Sequence, residues 1–205
     1  MANGGKQYLG LKKPWNQPDF MMCIPTCLKT ILDNQYPNKR IPFSSISKGM
    51  SDKVNVLTVP RYEGYVPKPP DEVPESLNPY LKKRGLEINL NIGATKRNLI
   101  NLIKRNIYPL VFLEIKKYFL YKGFKVHDSK IINSHCIALV GYDDDTETYP
   151  IYCPINKWDY TRDYDINELD TIDYINFSEM WNLCQSRLLW VEEKAKGAQK
   201  KLEEF

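Results

Sequence analysis

The stretch from Gln17 to Gln35, Q-P-D-F-M-M-C-I-P-T-C-L-K-T-I-L-D-N-Q, constrains the fold more than any other part of the chain. Its second half reads as a helix that begins at Cys23. Pro25 suits a first helical turn, where a missing N–H breaks no bond. Cys27, Leu28, Ile31 and Leu32 follow at the spacing of one buried stripe. The helix runs to about Asn34, ahead of the breaker Tyr36-Pro37-Asn38. A cysteine at such a start meets unpaired backbone N–H groups and the positive end of the helix dipole, which favour the thiolate. Two readings of Cys23 stand at this point: a reactive thiol, or a small buried hydrophobe.

The rest of the pattern mixes strands and helices. Residues 86–92 alternate apolar and polar side chains, as a half-buried strand does. Thr95 can cap a helix carrying Leu99, Ile100, Leu102 and Ile103. Residues 108–115 (Y-P-L-V-F-L-E-I) read as a buried strand with its proline at the start. Residues 134–142 (S-H-C-I-A-L-V-G-Y) form another, turning at Asp143-Asp144-Asp145 into a hairpin partner at 149–153. A short helix from Phe177 and a last strand at 186–191 complete the set. Short helices at 42–48 and 77–84 fit the less regular middle of the chain. The prolines at 60, 67, 69, 70, 74 and 79 speak against regular structure through much of that region. Residues 1–16 read as an arm anchored by Trp15, and 116–133, which contain His127, and 155–175 as long excursions. At 205 residues the chain can bury a real core, and this mixture predicts an α+β domain.

Charge and cysteine usage narrow the function classes. A net charge of only +4 gives no footprint for nucleic acid, which needs clustered basic residues. No window has the apolar length of a membrane span, and M-A-N-G-G-K lacks the apolar core of a signal peptide. Five cysteines at irregular spacing argue against a disulfide framework and for a reducing compartment, so a cytoplasmic location is expected. With two histidines and no second Cys or His pair at zinc-like spacing, no metal or other cofactor is expected.

Thiol-based acyl transfer needs a thiolate, an imidazole that holds and then donates the proton, and donors for the oxyanion. Cys23 offers the first, His135 at the start of an apolar strand the second, and the Gln17 side-chain amide the third. A helix-first, strand-later order lets such partners meet across a cleft. Taken singly, His135 also fits a structural role and Gln17 a solvated one.

Together, Q-x-x-x-x-x-C-x-P-x-C-L followed by H-C-I-A-L-V-G-Y-D resembles the papain-fold peptidases of the bacteriocin-processing type, over roughly residues 15–190. Those enzymes cleave after double-glycine leader motifs, and a wider set of relatives has other or unknown substrates. The resemblance implies a papain-like cysteine protease fold, with the cysteine helix packed on an antiparallel sheet that carries the histidine. It implies one such domain over 1–205, with a proline-rich insertion at about 51–80 and a charged extension at about 192–205. It assigns the nucleophile to Cys23, the imidazole to His135 and the oxyanion donor to Gln17.

The chain departs from the pattern at two places. Ile24 follows the nucleophile where the family usually has Gly, which would narrow the cleft beside the thiol. Cys153 precedes Pro154 where the family usually has the Asp that orients the imidazole. A neutral thiol is a poorer acceptor than a carboxylate. Asn156 or a backbone carbonyl are alternatives for that role. Two function classes follow: a peptidase acting on a peptide or isopeptide bond of a peptide or protein substrate, and a catalytically impaired papain-fold module that binds a protein or peptide.

Overall fold

The computed structural model describes residues 5–18, 22–50, 68–124, 134–156, 159 and 161–194. In chain order the strands are β1 (Lys6–Tyr8), β2 (Leu11–Lys12), β3 (Leu86–Asn91), β4 (Leu110–Glu114), β5 (Ser134–Leu139), β6 (Gly141–Asp143), β7 (Thr148–Tyr152), β8 (Asp163–Tyr164), β9 (Asp170–Asp173) and β10 (Leu188–Glu193). The helices are α1 (Cys23–Gln35), α2 (Phe43–Gly49), α3 (Val73–Leu81), α4 (Lys96–Lys104), α5 (Ile115–Tyr121) and α6 (Tyr174–Leu183). Among the described residues an antiparallel sheet runs β1-β6-β7-β5-β4-β10-β3, with β9 also on β7. β2 and β8 pair separately.

β5 lies inside this sheet and is covered on both faces. Cys136, Ala138 and Val140 meet Ile24, Cys27, Leu28 and Ile31 of α1 in one cluster. Ile137 and Leu139 point the other way, into a second cluster with Leu99 and Leu102 of α4 and Phe177, Met180 and Trp181 of α6. Burial on both faces is why H-C-I-A-L-V reads as an unbroken apolar run instead of an alternation. The expected α1 stripe is the one observed, with Cys27, Leu28, Ile31 and Leu32 at most 2% exposed.

The N-terminal arm is tied in at two levels. Its β1 pairs with β6, Tyr8 opposite Gly141. A side chain at Gly141 would collide with the Gln7 carbonyl oxygen, so this close approach needs glycine. Trp15 stacks on Phe43 at 5.9 Å, and its indole N–H donates to Asp33 at 2.9 Å.

Several elements differ from the expectations, α3, α5 and β9 most clearly. α3 starts earlier than expected and holds both Pro74 and Pro79. Pro74 lies in the first turn, and the burial of Val73, Leu77 and Leu81 along one side outweighs the backbone bond that Pro79 removes. α5 occupies the start of the excursion after residue 115, and β9 the end of the one after 155. Asp143, at the expected turn, is 7% exposed and pairs with Lys6 at 3.0 Å. Residues 51–67 of the proline-rich insertion, 125–133 with His127, and 195–205 of the C-terminal extension lie outside the described residues.

Candidate active site

Cys23 opens α1, where among the described residues Met22 makes no side-chain cap and the first turn holds no acid. The backbone N–H groups of Cys136 and Ile24 are directed at the Cys23 sulfur and pull its pKa down. Burial acts more strongly, with the neighbouring thiols of Cys136 and Cys153 adding to it, and the thiol is pushed up to about 12. The helix end alone thus does not produce a thiolate here. Desolvation of the anion wins over the two N–H groups. Ile24 does not stand in the cleft: it is 5% exposed and belongs to the core under α1.

The Cys136 N–H belongs to the peptide that joins it to His135, so the Cys23 sulfur rests against the start of β5. His135 pairs with Leu113 of β4 and is 1% exposed. Its ring lies 5.5 Å from that of Tyr118 and 6.0 Å from that of Phe119. Burial among these groups lowers the imidazole to about 3, so it is neutral at physiological pH.

The Nε2 atom of His135 is 3.3 Å from the Cys153 sulfur. Of the three groups the sequence offered to orient the imidazole, Cys153 is the one standing there. Its pKa is raised by burial, against the lowering effect of the Tyr118 hydroxyl and the Ile155 and Asn156 N–H groups, so it is a thiol. The Asn156 amide instead donates to Asp170 at 2.5 Å, and Lys122 approaches the same carboxylate at 3.0 Å.

Gln17 joins this corner from the other side. Its backbone N–H donates to the Pro154 carbonyl at 2.8 Å, immediately after Cys153. Its Oε1 is buried and has no hydrogen-bond partner among the described residues. Four distant segments therefore converge: 17 on 154, 153 on 135, and 23 on the 135–136 peptide. A cleft of about 710 Å³ lies elsewhere, lined by Lys12, Trp15, Asp33 and Pro37 among others. It sits at the far end of α1, about 15 Å from Cys23 at 1.5 Å per helical residue, and contains none of the reactive groups.

Tyr118 and Phe119 escaped the sequence reading because α5 did. The signal present was Ile115 and Tyr118 at helical spacing, both buried. Among the described residues no group of three His, Cys, Asp or Glu side chains is arranged to hold a metal ion, and no helix is long and apolar enough to cross a membrane.

Comparison with known proteins bears on the fold and the family. No curated protein matches the chain. Among solved structures, a candidate C39-like peptidase from Bacillus anthracis superposes with a TM-score of 0.64 at 18% identity, over 94% of this chain and 100% of that one. At that identity the likeness establishes the fold, an α+β papain-like one with the cysteine helix on an antiparallel sheet. The model of the Peptidase_C39 like family matches residues 12–184, from the N-terminal arm through β10's approach and across all four converging segments. By that match the chain belongs to the Peptidase_C39 like family.

Proposed function

We propose that the protein is a cysteine peptidase that cleaves a peptide or isopeptide bond through an acyl-enzyme on Cys23, with His135 as its acid–base partner and Gln17 as an oxyanion donor. The observation that carries this reading is the seating of the Cys23 sulfur, at an uncapped helix start, against the His135–Cys136 peptide. With Nε2 of His135 occupied by Cys153, Nδ1 is the nitrogen for the reaction. As the sulfur attacks the substrate carbonyl carbon, the S–H proton passes to Nδ1. The carbonyl oxygen, now an anion, is met by the Cys23 N–H and the Gln17 amide. Collapse of this intermediate expels the amine, which takes the proton back from the imidazolium. Water, deprotonated by the same nitrogen, then releases the acyl group.

The resting pair is neutral on both sides, since burial raises the thiol and lowers the imidazole. Such a pair ionises as a unit during attack, with no net charge entering the site. The direct test is a peptide library read by mass spectrometry. The wild type gives defined products, and Cys23→Ala, with an unchanged circular dichroism spectrum, gives none. Products that persist in Cys23→Ala contradict the reading. The neutral pair and the missing carboxylate also favour one second reading, a papain-fold module that binds a protein or peptide without cleaving it. Alkylation of Cys23 no faster than that of Cys184 would decide for it.

A further inference from the structure

We propose that Cys153 is the positioning residue of the His135 imidazole: its sulfur accepts the Nε2 proton in the place that a carboxylate takes in the usual pattern. The inference rests on the peptidase reading above and concerns how that site works without an acid.

A neutral imidazole carries one proton, on Nδ1 or on Nε2. For Nδ1 to receive the Cys23 proton, the resting proton must be on Nε2, and the group facing Nε2 must accept it. A carboxylate can only accept. A thiol can donate or accept, so its surroundings decide. The Cys153 sulfur faces Nε2 at 3.3 Å and is approached by the N–H groups of Ile155 and Asn156, all on the donor side. The buried Tyr118 hydroxyl faces the same sulfur, and with its own hydrogen turned away its oxygen takes the S–H. That orientation leaves a sulfur lone pair for Nε2–H.

The other titratable groups around this contact are thiols, the buried Tyr152 phenol of β7 and one ion-paired carboxylate whose charge still reaches Cys153. Cys23 and Cys27 face it from α1 and Cys136 from β5. Asp170 on β9 is held by Lys122 and Asn156. When the Cys23 proton moves to Nδ1, the Nε2 proton and the Cys153 proton stay where they are, and no proton leaves the site. The imidazolium is then stabilised by a thiol dipole and not by a full charge. The consequence is a resting pair that stays neutral, with Nδ1 open to the thiol proton during attack.

The tautomer is measured first, on the wild-type protein, by long-range ¹H–¹⁵N correlation of the imidazole assigned through its loss in His135→Ala. The proposal expects the Nε2–H form; the Nδ1–H form overturns it. The second measurement is the rate at which iodoacetamide alkylates Cys23 between about pH 5 and 9, where a neutral pair gives a flat profile. Cys153→Asp should raise the imidazole pKa by about 1–3 and lift that rate about tenfold or more. Cys153→Ala should lower it, and Cys153→Ser, whose hydroxyl can also accept, should recover part of the loss. A rate unmoved by all three substitutions overturns the proposal. If the rate does not respond to His135→Ala either, the peptidase reading itself fails. A response to His135→Ala with none to Cys153 variants refutes only the role of Cys153.

Discussion

The His135 imidazole, enclosed by Tyr118, Phe119 and Cys153, keeps its neutral form down to a pKa of about 3. In the unfolded chain a histidine titrates near 6.5. Between those values the unfolded state binds a proton that the folded state refuses, so stability is full above the unfolded pKa and falls as pH drops. The slope from this one group is about 1.4 kcal/mol per pH unit at its steepest. Urea unfolding midpoints should therefore decline between neutral pH and pH 4, and His135→Gln should remove that part of the decline. An identical slope in the variant would show that His135 is not buried neutral. At this scale the sequence was informative about identity and mute about environment. Cys23, His135 and Gln17 stand out as candidates through the family resemblance, and Cys153 as a departure from it. The raised thiol is not readable in this way, because it depends on burial by the folded chain and, after that, on Cys136 and Cys153 arriving from distant segments.

Among the elements, α1 was legible because its signals agree: proline in the first turn, an apolar stripe and a breaker after it. α3 was legible only in its second half, because the prolines before it hid the first turn and its buried Val73. α3 also protects the sheet. β3 ends the strand order, so the outward N–H and C=O of Ile88 have no strand partner among the described residues. The Asn78 side chain takes both, accepting from the Ile88 N–H at 2.8 Å and donating to its carbonyl at 3.0 Å. Asn78→Ala leaves two half-buried backbone groups unpaired. It should cost about 1–3 kcal/mol, a fall of several degrees in the thermal midpoint at about 2–4 °C per kcal/mol for a chain of this size. A midpoint equal to that of the wild type would mean that water replaces the clamp at no cost.

At the level of the whole molecule, the site exists only when the sheet closes. β10, close to the C-terminal end of the matched region, lies between β4 and β3, while β1 from the N-terminal arm reaches the opposite edge beside β6. That order could not be read from hydrophobic pattern, since pairings between strands a hundred residues apart leave no local trace. It nevertheless brings the 17, 23, 135 and 153 positions to one corner. The central claim is that Cys23 and His135 react as a unit, and the pH dependence of Cys23 alkylation tests it most directly. In the folded wild type the rate should be flat from about pH 5 to 9, because the reacting species is the neutral pair throughout. In His135→Ala it should be lower at neutral pH and climb about tenfold per pH unit with the thiolate fraction. A wild-type profile that climbs in the same way as the variant would mean that the imidazole takes no part, and the account of this protein as a peptidase would be wrong.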